Sequence, residues 1–191
     1  MAIRMCFVLL LFALAAYGQQ LTDSRDGKKY RVVTIGTQTW MAENLNYNIN
    51  GSECYDDKPA NCEKYGRLYN WETTMEACPK GWHLPSNDEW DVLINFVGGL
   101  STAGTKLKAK SGWNSNKGKA GNGTDDLGFA ALPGGRGYIY GKHNSVGSRG
   151  YWWSATGGTY GAYCQYIYYD EDVYRYYDSD HYLHSVRCVK D

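Results

Sequence analysis

The chain has no charge bias: its 191 residues hold 20 Lys and Arg against 20 Asp and Glu. Phosphate binding needs a basic excess on some face, so this balance argues against nucleic acid as a partner. It also argues against an acidic or basic tail. Beyond residues 1–18 no apolar run approaches the ~20 residues of a membrane-spanning helix. There is no Cys-x-x-Cys pair, and His83, His143, His181 and His184 do not sit beside cysteines at finger spacing, which disfavours a zinc finger. No fixed-period repeat and no interdomain linker interrupts the chain, so a single domain over residues 19–191 is expected.

What is present is ordinary in bulk and unusual in detail. Hydrophobic residues make up 43% and charged residues 21%, which is the composition of a folded globular domain and not of a disordered chain or coiled coil. Phe is scarce at 4 while Tyr reaches 18, with 7 Trp and 23 Gly beside it. Tyr supplies large apolar faces with a polar tip, so this mix fits an exported, loop-rich module. Met1 to Gly18 has Arg4 as its sole charge, an apolar stretch from Cys6 to Ala16, and small residues before Gln19. That is the pattern of a secretory signal peptide, and the mature chain is expected to be soluble.

Export gives the cysteines their meaning, because disulfides persist outside the cytosol. Cys54, Cys62, Cys78, Cys164 and Cys188 remain after cleavage, an odd number that leaves at least one thiol unpaired. A Cys54–Cys62 bridge would close a polar loop, and a Cys78–Cys188 bridge would tie the two ends of the domain. Cys164 is then the leftover, read as a buried strand thiol.

Along the chain, Tyr30–Ile35 and Thr39–Met41 read as a hairpin around a Gly turn. Tyr69–Ala77 forms a short helix stopped by Pro79. Ser86 and Glu89 make a capping box for a helix whose Trp90, Leu93, Ile94 and Val97 repeat at helical spacing until Gly98-Gly99. The helical signal fades there, and Gly104 to Gly128 reads as a long loop. Phe129–Pro133, Gly150–Ser154, Cys164–Tyr169, Val173–Tyr177 and Leu183–Val189 are expected strands. The fold class is α+β, with one or two helices on small antiparallel sheets and long loops.

Few motifs carry chemistry. Gly134-Gly135-Arg136-Gly137 lacks the strand and helix context of an anion cradle and reads as a turn. His83 reads as a structural hydrogen-bonding residue, not a base. His181 and His184 fall on opposite faces of a strand and do not share a metal. Asp125-Asp126 is a plausible contributor to a calcium loop without EF-hand spacing, so no cofactor is assigned and calcium stays open. The informative feature is the crowd of nine tyrosines from Tyr160 to Tyr182. Tyr166 and Tyr168 are expected on one strand face and Tyr174 and Tyr176 on a face of the next, with Asp170-Glu171-Asp172 as the turn. With Trp152 and Trp153 nearby in sequence, these rings either fill the core or form a ligand-binding surface.

Several segments together are similar to a known family. They are Asp26–Tyr30 running into Ile35-Gly36-Thr37-Gln38-Thr39-Trp40-Met41-Ala42-Glu43-Asn44-Leu45-Asn46-Tyr47, Tyr65-Gly66-Arg67-Leu68-Tyr69-Asn70-Trp71, Cys78-Pro79-Lys80-Gly81-Trp82-His83-Leu84-Pro85-Ser86, Gly128-Phe129, Gly150-Tyr151-Trp152-Trp153-Ser154 and Ser185–Asp191. In that order they resemble the Fibrobacter succinogenes major paralogous domain, a family of exported bacterial modules often found on the cell surface. The resemblance implies a distantly C-type-lectin-like or formylglycine-generating-enzyme-like fold. It does not imply those activities, since the paired copper-binding cysteines of the oxidases and the Glu-Pro-Asn, Gln-Pro-Asp and Trp-Asn-Asp triplets of calcium lectins are absent. The expected function is a secreted, non-catalytic module that binds polysaccharide or a cell-surface glycan, in the periplasm or on the surface of a bacterium. The rivals are a metal-dependent oxidase or glycan hydrolase on the same scaffold, and an adhesin that binds a surface protein.

Overall fold

Trp40, Trp152 and Trp153 are the largest side chains removed from solvent, and the elements of the fold gather around them. The computed structural model describes residues 19–170 and 172–191, so the expected leader Met1 to Gly18 and the turn residue Glu171 lie outside the described residues. The chain opens with β1 (Gln20–Thr22), β2 (Lys29–Ile35) and β3 (Gln38–Met41). The expected hairpin is β2–β3, with Ile35 opposite Gln38 and Val33 opposite Trp40. Gly36 turns it at φ 60°, and a Cβ there would meet the Phe96 ring at 2.9 Å, so the position needs glycine on both counts.

Strand β4 (Ser52–Glu53) precedes a 3-10 turn at Tyr55–Asp57, helix α1 (Pro59–Tyr65) and strand β5 (Leu68–Tyr69). The Cys54–Cys62 bridge is formed, yet the segment that it closes is half helical where a loop was expected. The reason is local: Pro59 stands at the first helical turn, where its missing N–H costs nothing, and Gly66 at φ 76° ends the helix. Helix α2 (Trp71–Ala77) begins two residues later than expected, because Asn70 caps it by accepting the Thr73 N–H at 2.9 Å.

After β6 (Trp82–His83), helix α3 (Asn87–Phe96) has the anticipated capping box: the Ser86 side chain accepts the Glu89 N–H while the Glu89 carboxylate accepts the Ser86 N–H. Helix α4 (Leu100–Leu107) corrects the expected loop. Gly98-Gly99 ends α3, but Ala103 and Leu107 then bury one face of a new helix, and Gly104, a poor helix former in isolation, is tolerated where it packs. With α1 this makes four described helices in place of one or two.

The C-terminal half is β7 (Arg136–Tyr138), β8 (Lys142–Asn144), β9 (Gly150–Gly158), β10 (Gly161–Ile167), β11 (Val173–Ser179), β12 (Tyr182–Leu183) and β13 (Val189–Lys190). The expected strand at Phe129–Pro133 is reduced to one bridge, Ala131 to Lys108, because Ala130 at φ 50° breaks the extended run. The expected strand Leu183–Val189 is two short strands joined by a buried segment that is tied strand by strand. Tyr69 bridges His184, the Ser185 carbonyl accepts the Trp153 N–H, and the Val186 and Cys188 carbonyls accept from Leu45 and Met41.

Four antiparallel sheets result among the described residues, in the orders β1-β2-β3-β13-β6, β11-β10-β9, β12-β7-β8 and β4-β5. The molecule is thus α+β. Successive residues of a strand face opposite ways, so Trp152 enters a core with Trp40, Trp90 and Phe129, while Trp153 enters a second core with Tyr69, Tyr151 and Cys164. The Cys78–Cys188 bridge pins the last strand to the end of α2, and Cys164 is the free, buried thiol.

Candidate functional site

The β9–β10–β11 sheet places aromatic residues in a row by register alone. Tyr166 on β10 stands opposite Tyr151 on β9 and Tyr174 on β11, and all three side chains leave the same face. Tyr151 and Tyr166 rings lie 5.5 Å apart, and Tyr166 and Tyr174 stack at 4.8 Å with their planes 13° from parallel. Along β11 the same face continues through Tyr176 to Asp178. The β7–β12 pair packs beside this row and supplies Arg136 and Tyr182.

These residues border a cleft of about 240 Å³ lined by Arg136, Arg149, Tyr151, Tyr166, Tyr176, Asp178 and Tyr182. Arg136 lies over the Tyr182 ring at 4.2 Å and the Tyr151 ring at 5.1 Å, and its Nη1 donates to Asp178 Oδ2 at 2.9 Å. Arg149 covers the Tyr168 ring at 4.4 Å and donates to the Tyr151 hydroxyl at 3.2 Å. That hydrogen bond holds Arg149 above its ordinary pKa, and Arg149 has no carboxylate partner among the described residues. Burial raises the Tyr166 phenol, so it stays a neutral donor. The cleft therefore combines apolar ring faces, one ion-paired and one carboxylate-free guanidinium, and one carboxylate.

Beneath its wall lie a thiol and an imidazole. Cys164 and His184 are fully buried. Burial pushes the Cys164 thiol up, and burial holds His184 low against the pull of Asp178, so both are neutral at pH 7.

A larger cavity of about 390 Å³ lies elsewhere, between Lys28, Arg31, Glu43, Lys64 and Tyr65. Two of its cations are already matched, Lys28 with Asp26 at 3.1 Å and Arg31 with Glu43 at 3.2 Å. It lacks the row of rings.

Four of the six expected ligand-binding residues fall at or beside the cleft. Tyr166 and Tyr176 line it, and Tyr176 is 56% exposed. Tyr174 stacks on Tyr166, with its hydroxyl donating to Asp170 at 2.7 Å. Tyr168 lies past the end of β10, where it packs on Tyr169 at 4.0 Å under Arg149, and does not share a strand face with Tyr166.

Trp152 and Trp153 do not present a face to a ligand: they are 1% and 0% exposed. Their indole N–H groups are spent inside, on Asn44 Oδ1 at 2.9 Å and the Tyr69 carbonyl at 2.7 Å. Both faces of β9 are covered, so adjacent tryptophans signal two cores and not one exposed platform. Asp125 accepts the Ala130 N–H at 2.7 Å and shapes its own loop.

Of the remaining cleft residues, Tyr182 ends the expected tyrosine crowd and Asp178 belongs to the acidic run after Asp170, while Arg136, Arg149 and Tyr151 carry no ligand-binding expectation from the sequence. The Gly134-Gly135-Arg136-Gly137 segment, expected as a turn, instead runs through a Gly135–Gly150 bridge into strand β7 and held the one available signal. Gly135 has φ 67°, and a Cβ on it would stand 2.5 Å from the Asn144 carbonyl, so the glycine lets the chain pass closely there and delivers Arg136 into the cleft.

No curated protein and no solved structure matches the chain. The family model described as Fibrobacter succinogenes major domain matches residues 33–190. That span takes in the turn of the β2–β3 hairpin and all of β3, both disulfides and every residue of the cleft, and the chain belongs to the Fibrobacter succinogenes major domain family.

Proposed function

We propose that the protein is an exported, non-catalytic binding module that takes a saccharide in the Tyr–Arg cleft. One observation carries this reading: Tyr151, Tyr166, Tyr176 and Tyr182 converge with Arg136, Arg149 and Asp178 on one small concavity. Sugar rings offer an apolar face to aromatic side chains and a rim of hydroxyls to guanidinium and carboxylate groups. Arg149, with no acidic partner among the described residues, favours ligands that carry a carboxylate or sulfate among the hydroxyls. Binding is favoured over catalysis because the nearest thiol and imidazole are enclosed beneath the wall.

Export is supported by the two disulfides, and no helix among the described residues is long and apolar enough to cross a membrane. A C-type-lectin-like scaffold is part of the same proposal, supported by the capped helix after Gly81-Trp82-His83-Leu84-Pro85 and the terminal Val186-Arg187-Cys188-Val189 segment.

The test is a polysaccharide panel that includes uronate-containing and sulfated polymers, probed with the chain from residue 19 onward. Retention of a polymer, lost in Tyr176→Ala and Arg149→Ala, supports the reading. No retention of any polymer overturns it, and release of smaller saccharides makes the protein an enzyme.

A further inference from the structure

Cys164, Asp178 and His184 come from β10, β11 and the residue after β12, and the register of β10 on β11 sets the first two diagonally on one face. Their ligand atoms, one from each residue, lie within 4.8 Å of one another, and all three residues are buried. Nε2 of His184 meets Asp178 Oδ2 at 3.3 Å, while its Nδ1, enclosed with the rest of the ring, has no hydrogen-bond partner among the described residues. A fully enclosed imidazole nitrogen without a partner is uncommon in a folded interior and asks for one. Each of the three side chains carries a lone pair that can coordinate a cation, and their ligand atoms are near enough to share one.

We infer that Cys164, Asp178 and His184 form a binding site for one divalent cation of the zinc class. Thiolate, imidazole and carboxylate together suit Zn(II) and disfavour calcium or magnesium, which take oxygen ligands. Tetrahedral zinc with bonds of ~2.0–2.3 Å sets ligand atoms ~3.3–3.8 Å apart, so side-chain rotations that draw the three atoms together by about 1 Å close the cluster. Arg136 plays the part of the outer partner that orients a ligating carboxylate, through its 2.9 Å bond to Asp178. Its charge is spread over the Tyr151 and Tyr182 rings, which eases its approach to a second cation. On binding, the Cys164 proton leaves to solvent and the sulfur coordinates as thiolate. Three protein ligands leave a coordination position open, and Asp178 is the residue that the cluster shares with the cleft wall.

The test uses the oxidised chain from residue 19 onward, stripped with chelator and titrated with Co(II) and then Zn(II). With the other cysteines in disulfides, Cys164 is the sole thiol and any thiolate-to-cobalt charge-transfer absorption reports it directly. One Co(II) per chain with that absorption, displaced by Zn(II), is expected, and Asp178→Asn and Cys164→Ser should each weaken binding by at least about tenfold. Absence of binding overturns the site, as does binding without the thiolate absorption. Because the absorption is read on the unmodified chain, the outcome does not depend on either variant folding.

Discussion

Tyr166 and Tyr174 face each other directly across β10 and β11, and their rings stack 4.8 Å apart. The pair joins the sheet to the proposed saccharide cleft, since Tyr166 lines the cleft while Tyr174 is anchored through its hydroxyl to Asp170. Opposed aromatic pairs contribute about 0.5–1.5 kcal/mol beyond their buried area. Tyr174→Ala should therefore lower stability by about 1 kcal/mol and weaken saccharide retention, although Tyr174 does not line the cleft. Tyr176→Ala, at a more exposed ring, should leave stability nearly unchanged and weaken retention more. Thermal melts and affinity chromatography on the two variants check this, and equal effects on stability would refute the division of labour.

The two disulfides should differ in worth because they close loops of different length. Cys54 and Cys62 are separated by 8 positions and Cys78 and Cys188 by 110. The chain-entropy model then gives about 2–3 kcal/mol for the first and about 4–5 kcal/mol for the second. Denaturant unfolding of the Cys54→Ala/Cys62→Ala and Cys78→Ala/Cys188→Ala variants measures both losses. A larger loss from the short ring would show that strain or residual unfolded structure decides instead.

Ser86, Glu89, His83 and Asp191 form one polar network at the start of α3. His83 binds Asp191 through Nδ1 and Glu89 through Nε2, each at 2.7 Å. Burial opposes the charged imidazole, but the hydrogen bonds to Asp191 and Glu89 outweigh it and raise the His83 pKa. For Glu89, burial is likewise outweighed, by the Ser86 N–H and by His83, and its pKa is lowered. A raised His83 adds stability that is complete below its unfolded value of ~6.5 and is lost as pH rises through the folded value. A lowered Glu89 adds stability that is present above ~4.3 and is lost as pH falls through its folded value. The network should thus help most between those values. Melting temperatures of the wild-type chain and His83→Gln across pH should converge on the alkaline side, and a gap independent of pH would disprove the assignment. Solvent exposure of His83 keeps the effect small.

Loss of the cap itself is separable from that titration. Ser86→Ala removes the acceptor of the Glu89 N–H and should cost about 1 kcal/mol at any pH from 5 to 8. Urea unfolding at two pH values would reveal a pH-dependent loss if the serine acted mainly through His83.

Local signals were legible and convergent ones were not. The β2–β3 hairpin and the Ser86–Glu89 box depend on residues a few positions apart, so turn and cap chemistry sufficed. Both disulfides followed from spacing together with the expectation of export. Alternation placed Tyr166 and Tyr174 correctly, but it says nothing about what lies over each face, which is why Trp152 and Trp153 looked available and are not. Helix α4 was hidden by Gly104, a residue judged by propensity where burial decided. Arg136, Arg149, Asp178 and His184 meet through the packing of separate strands, and no spacing along the chain announces such a meeting.

Strand β13 lies inside the five-stranded sheet, between β3 and β6, and the segment before it runs through the second core. A chain that emerges with its N-terminus first makes β3 and β6 long before the strand that must sit between them. Neither that sheet nor the bridge from Cys78 is complete until Cys188 and Val189–Lys190 arrive. Such long-range closure makes folding slow, with the five-stranded sheet and the long disulfide settling together in its last step.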